Sequence, residues 1–185
     1  HRDVRLVSFT GSTEVGKEIA AVCGQHLKRV SLEMGGKNAQ IVMDDADLNL
    51  ALDGALWGAF GTTGQRCTAT SRLILHRAIK KELTEKLVER AEKIKIGDGL
   101  DESIEMGPLI NEAARQKVHR YVQTGKEEGA RLLIGGEIYK EGKLTDGYFY
   151  RPTIFDQVTP NMRIAQEEIF GPVLSIIEVK DFDEA

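Results

Sequence analysis

Cys67 stands in Gly64-Gln65-Arg66-Cys67-Thr68, a small and polar stretch with a cation one residue before the thiol. Such a thiol is open to solvent and its thiolate has a positive neighbour, the conditions that favour a nucleophile over a packing residue. Cys23 is the contrast: it shares a helical face with Ile19 and Ala20 and reads as structural. Glu33 ends an alternating run and is followed by Met34-Gly35-Gly36. A carboxylate there can project into a cleft at the carboxyl edge of a sheet and accept a proton. Taken by itself, the same residue reads first as a solvated charge at a strand end. A third candidate is Phe9-Thr10-Gly11-Ser12-Thr13-Glu14-Val15-Gly16-Lys17-Glu18, which follows a strand and opens a helix. Backbone N–H groups and the helix dipole meet anions at such a junction. The spacing fills seven places of the P-loop pattern G-x-x-x-x-G-K, but Glu18 takes the place of the Ser or Thr that would ligate Mg²⁺. Three readings stay open: phosphate contact, a structural strand-to-helix turn, and, remotely, a P-loop NTPase whose Walker B strand would be Ile41 to Asp44. His1, His26, His76 and His119 share no ligand spacing with one another or with the cysteines, so no metal site is expected.

Strands alternating with helices must position these residues. Strands are expected at Val4 to Phe9, Lys28 to Glu33, Ala39 to Met43, Arg72 to His76, Arg131 to Ile134, Tyr148 to Phe155 and Val173 to Val179. The continuous apolar run from Ala39 to Met43 reads as a strand buried on both faces. Helical spacing appears in Thr13 to Cys23, in Asp47 to Phe60 and in Ala78 to Ile94, where Ile79, Leu83, Leu87, Ala91 and Ile94 form a stripe. Asn111 caps a helix running to about Gly129, and Gly97 to Pro108 is a loop. The order implies an α/β fold, a mostly parallel sheet with flanking helices.

Composition narrows the function classes. The 185 residues are 41% hydrophobic and 29% charged, which is globular rather than disordered. With 25 basic and 29 acidic residues, a net charge of −4 offers no footprint for nucleic acid or an anionic membrane. No apolar run reaches the roughly 20 residues of a spanning helix. Two cysteines make no disulfide framework and suit a reducing compartment, the cytoplasm. The first residue is His1, and Asp183-Glu184-Ala185 reads as the first turn of a helix, so a piece of a longer protein is expected.

Four motifs occur in order: Phe-Thr-Gly-Ser-Thr-Glu-Val-Gly at 9–16, Leu-Glu-Met-Gly-Gly-Lys-Asn at 32–38, Gly-Gln-Arg-Cys at 64–67 and Glu-Glu-Ile-Phe-Gly-Pro-Val at 167–173. Together, with 34 residues from Glu33 to Cys67 and 101 from Cys67 to Glu168, the chain resembles the aldehyde dehydrogenase superfamily along its whole length. The resemblance implies oxidation of an aldehyde with NAD or NADP. Cys67 would be the nucleophile that forms a thiohemiacetal and then a thioester, and Glu33 the base that activates the deacylating water. Gly11 and Gly16 would belong to the loop that approaches the dinucleotide, Ser12 would contact its pyrophosphate and Val15 would lie near the adenine. Glu168 would bind the nicotinamide ribose and Phe170 would pack beside the nicotinamide. Residues 1–33 would then be the C-terminal part of a dinucleotide-binding domain and 34–185 the larger part of the catalytic domain. Arg66 occupies a place that varies in the family, and a basic residue there implies substrate contact with an acidic semialdehyde. The longer parent would be a homodimer or homotetramer, needing neither nucleic acid nor membrane. The rival expectation is a structural or binding piece with no activity of its own.

Overall fold

The computed structural model describes residues 1–140 and 142–185, which form two compact units, His1–Gly36 and Lys37–Ala185. In the first unit, β1 (Leu6–Thr10) and β2 (Arg29–Glu33) run parallel and are joined by helix α1 (Thr13–Gln25). Ser12 caps α1 by accepting from the Val15 N–H at 3.3 Å. β1 begins at Leu6 rather than Val4 because residues 1–4 turn back on themselves, closed by Val4 N–H donating to the His1 carbonyl at 3.2 Å. The Lys28 ammonium donates to the carbonyls of His1 and Val4 and holds that turn. Cys23 is buried on the inner face of α1, as its apolar neighbours require.

In the second unit a five-stranded sheet has the order β3-β4-β7-β6-β5. The strands are β3 (Asn38–Val42), β4 (Thr70–His76), β5 (Arg131–Ile134), β6 (Thr153–Asp156) and β7 (Val173–Val179). All pairs are parallel except β5 with β6. Helices α2 (Leu48–Phe60) and α3 (Arg77–Glu92) cover one face, and α4 (Glu112–Glu127) covers the other. Alternation explains this division. Leu73, Leu75, Leu174 and Ile176 pack under α2 and α3, while Ile74, Val173, Ile177 and Val179 pack with Val118 and Val122 of α4. Asp47 caps α2 through its carboxylate on the Asn49 and Leu50 N–H groups, and Asn111 caps α4 through Ala114 N–H at 2.8 Å. The stripe of α3 is buried from Ile79 through Ala91.

Two further expectations are corrected. β3 is not buried on both faces: it ends the strand order, and Ala39 and Ile41 are exposed while Val42 faces the core. The run from Tyr148 supplies only β6, starting at Thr153, because Pro152 has no N–H to give a ladder. Tyr150 keeps an isolated bridge to Ile138. The four-residue helix α5 (Arg163–Gln166) is too short to show a period and was not legible.

Candidate active site

In the first unit, the register pairs Thr10 with Glu33, so both parallel strands end at the same level. Gly11 N–H donates to the Glu33 carbonyl at 3.0 Å. The exposed Glu33 carboxylate and the Gly11-Ser12 turn therefore share one carboxyl edge, where ligands collect in parallel α/β structures. Ser12 and Val15 are exposed at the start of α1, the positive end of its dipole. Gly16 has a different reason for being glycine: it lies inside α1, and a Cβ there would sit 2.5 Å from Met34 Sδ. Its contribution is close packing of α1 on the segment after β2.

In the second unit, Cys67 is exposed on the turn between α2 and β4. Two successive residues of that turn are left-handed, Thr63 at φ 57° and Gly64 at φ 66°. A Cβ on Gly64 would run into the carbonyl of Gly171, so glycine allows backbone to touch backbone here. This contact brings the Cys67 turn beside the segment that carries Glu168 and Phe170. Side chains pin the turn from other directions. Thr63 Oγ1 donates to the Gly107 carbonyl at 3.0 Å, and Gln65 donates to the Pro108 carbonyl at 3.2 Å and accepts from Ile110 N–H at 2.9 Å. The Asn38 amide donates to the carbonyls of Cys67 at 2.5 Å and Ala69 at 3.3 Å.

Arg66 is held against α2. Its guanidinium lies 3.9 Å from the Trp57 ring centroid and donates to the carbonyls of Trp57 at 3.3 Å and Gly58 at 3.4 Å. A cation on the last carbonyls of a helix is favoured by its dipole. That tie is a structural task the sequence did not announce.

Phe170 is 41% exposed with φ 60°, a strained value for a bulky residue, and Gly171 follows it against Val118. Glu167 anchors the segment. It takes two bonds from Arg163, at 2.9 and 3.0 Å, and one from the Tyr121 hydroxyl at 2.7 Å. The Arg163 bonds, then the Tyr121 bond, hold its carboxyl down at about 2. Lys37 is the other charged element. Its ammonium nitrogen is buried without a hydrogen-bond partner, and its pKa is pushed down to about 8, by burial first and then by the charge of Arg72. Glu168 and Glu167 pull that value back up.

Of the residues singled out in the sequence, the first unit carries Gly11, Ser12, Val15, Gly16 and Glu33, and the second carries Cys67, Glu168 and Phe170 on two segments that meet at Gly64 and Gly171. Sequence reasoning missed Lys37, Asn38, Trp57 and Glu167 as working parts. All but Trp57 lie within the four motifs, but only contacts distant along the chain show their tasks. His76 caps α3 and contacts the Lys180 carbonyl at 2.8 Å, and His119 contacts the Tyr150 hydroxyl at 3.0 Å. Among the described residues no group of three or more His, Cys, Asp and Glu could hold a metal ion. Nor is any helix among them long and apolar enough to cross a membrane.

Comparison with known proteins places the chain in a family. The family model described as "Aldehyde dehydrogenase family" matches residues 1–185. Betaine aldehyde dehydrogenase of Brucella anthropi is 50% identical over 184 residues, and that of Brucella ovis is 49% identical. Each match covers 100% of this chain and 38% of the relative. The chain thus spans well under half the length of the curated relatives it matches. Among solved structures, betaine aldehyde dehydrogenase of Staphylococcus aureus in complex with NAD+ superposes with a TM-score of 0.96 at 41% identity, covering 100% of this chain and 36% of that one. HpcC of Thermus thermophilus gives 0.94 at 46% identity, covering 100% of this chain and 36% of that one.

Proposed function

The chain belongs to the aldehyde dehydrogenase family, and from that premise we propose that it carries the nucleophile, the base and part of the cofactor contacts of an NAD(P)-dependent enzyme that oxidises a small aldehyde. The observation that carries the reading is Cys67, exposed on a turn fixed by glycine contact and side-chain bonds. The Cys67 thiolate attacks the aldehyde carbon, forming a C–S bond and placing negative charge on oxygen. The Cys67 N–H is one donor to that oxygen. A nicotinamide held at this site would supply the hydride acceptor for the thiohemiacetal carbon, which would leave a thioester on Cys67. The Glu33 carboxylate takes a proton from water, which attacks the thioester and releases the carboxylic acid and the thiolate.

The junction after β1 suits a dinucleotide. The first N–H groups of a helix, here Thr13 and Glu14, lack intrahelical partners, and the Ser12 hydroxyl can donate to phosphate while its oxygen caps the helix. Val15 would face the adenine, Glu168 the nicotinamide ribose and Phe170 the nicotinamide ring. Gly11 serves by seating the Phe9 ring at the turn, and Gly16 by seating Met34. No Mg²⁺ is required, so Glu18 is tolerated and the NTPase reading falls away. Residues up to Glu33 would belong to the cofactor domain and the rest to the catalytic domain. The similar structure with NAD+ favours NAD. The whole enzyme would work in a reducing cytoplasm as a homodimer or homotetramer. An acidic semialdehyde is the finer substrate reading and rests on the charge of Arg66.

The test uses rapid mixing of the whole enzyme with cofactor and aldehyde. Cys67→Ser should abolish reduced-nicotinamide formation while cofactor affinity stays within a few-fold, since one carboxylate cannot activate an alcohol. Glu33→Gln should keep a burst of reduced nicotinamide and slow the steady state. More than about a tenth of wild-type kcat in Cys67→Ser would sink the reading, leaving a binding or structural role.

A further inference from the structure

Asn38 opens β3, and its side-chain NH2 has two hydrogens to give. One reaches the carbonyl of Cys67 at 2.5 Å and the other that of Ala69 at 3.3 Å. Both partners are acceptors, so the amide can only be oriented with nitrogen toward the turn. The backbone on either side is tied to β4 as well. Ser71 Oγ donates to the Asn38 carbonyl at 3.0 Å, and the Arg72 guanidinium donates to the Lys37 carbonyl. The register shifts between Asn38 and Ala39, pairing Asn38 with Thr70 and Ala39 with Arg72. Ser71 is therefore the extra residue of a bulge, and bulges re-aim side chains beside active sites.

We propose that Asn38 is the positioning residue for the Cys67 thiol: its amide fixes the Cys67–Thr68 and Ala69–Thr70 peptide planes and thereby the direction of the Cys67 Cα–Cβ bond. The catalytic consequence rests on the aldehyde-oxidation reading given above, but the positional one does not. Two carbonyls on either side of Thr68, held by one planar group, cannot rotate independently. Because the bond to the Cys67 carbonyl is exposed, water can replace it energetically. Water cannot replace its geometry. Loss of the amide should therefore misdirect the thiol more than it unfolds the protein, and misplacement by about 1 Å can lower a rate on the order of 100-fold.

The experiment compares wild type, Asn38→Leu and Asn38→Asp in the whole enzyme. Asn38→Leu keeps similar volume without donors, and Asn38→Asp presents acceptors to two carbonyls. Cys67 is labelled with a trifluoroacetonyl group, its signal identified by loss in Cys67→Ser, and followed by fluorine NMR. Wild type should give one narrow line and both variants broadened or multiple lines. The burst of reduced nicotinamide should slow by about 10- to 100-fold, with the cofactor KM within twofold, iodoacetamide alkylation of Cys67 within about threefold and the urea midpoint nearly unchanged. A merely structural residue would instead lower the midpoint and speed alkylation as the turn loosened. Unchanged fluorine lines in both variants overturn the assignment, whatever the activity. A wild-type protein with no burst overturns the aldehyde-oxidation reading alone, and the fluorine lines still decide Asn38.

Discussion

Arg66 carries its charge one residue before Cys67, yet part of its guanidinium is already engaged with the carbonyls of Trp57 and Gly58. The stacking on Trp57 fixes where the charge sits without neutralising it. An anionic aldehyde would be drawn to it, and a quaternary-ammonium aldehyde repelled. For the whole enzyme, Arg66→Met should lower kcat/KM for a small acidic semialdehyde on the order of tenfold, the scale of one charge-assisted contact. It should raise kcat/KM for betaine aldehyde and leave a neutral aliphatic aldehyde within about threefold. Equal changes for all three substrates would mean that the residue only ties down the end of α2. The residue scale also shows what a sequence withholds. The exposed placement of Cys67 was legible because its own neighbours differ from those of a packing cysteine. Asn38 was not, since its task is defined by carbonyls 29 and 31 residues away. Glu167 likewise finds Tyr121 across 46 residues.

Among the elements, long helices were legible where their periods were long and their caps chemically distinct, as at Asp47 and Asn111. β3 misled because an apolar run states what a strand can bury and not where it stands in the sheet. Its end position leaves Ile41 43% exposed. The turn between α2 and β4 was legible as small and polar, but not as one half of a backbone-to-backbone contact. That contact yields a prediction. Gly64→Ala meets a left-handed φ and the Gly171 carbonyl at once, and neither backbone has a side chain that could move aside. It should destabilise the protein by about 1–3 kcal/mol and raise the cofactor KM severalfold by separating the Cys67 turn from the Glu168–Phe170 segment. Gly99→Ala is the control, since a Cβ there meets nothing within 4 Å. Its change should stay within about 0.5 kcal/mol. Equal urea midpoints for the two variants would remove the contact from the account.

At the scale of the whole molecule, two charged groups of the second unit should leave opposite marks on stability against pH. Lys37 is lowered from 10.5 to about 8, so between those values the unfolded chain binds the proton that the folded chain has lost. Stability from this group therefore rises with pH across that window, and below about 8 the folded protein carries a buried ammonium at a cost. Glu167 is lowered from 4.5 to about 2, so its contribution is complete above about 4.5 and is lost as pH falls toward about 2. Its carboxylate is 41% exposed, so that contribution is screened by solvent and salt. Urea unfolding of wild type, Lys37→Met and Glu167→Gln over pH 3 to 10 separates the two. Lys37→Met should exceed wild type in midpoint at neutral pH, with the gap closing as pH rises beyond about 8. Glu167→Gln should fall below wild type at neutral pH, with the gap closing as pH falls below about 4.5. If the Lys37→Met gap stayed constant across the alkaline window, the ammonium would not be the buried charge described here. A constant Glu167→Gln gap in acid would trace that loss to altered packing around Tyr121 and Arg163, with no part for the carboxylate charge.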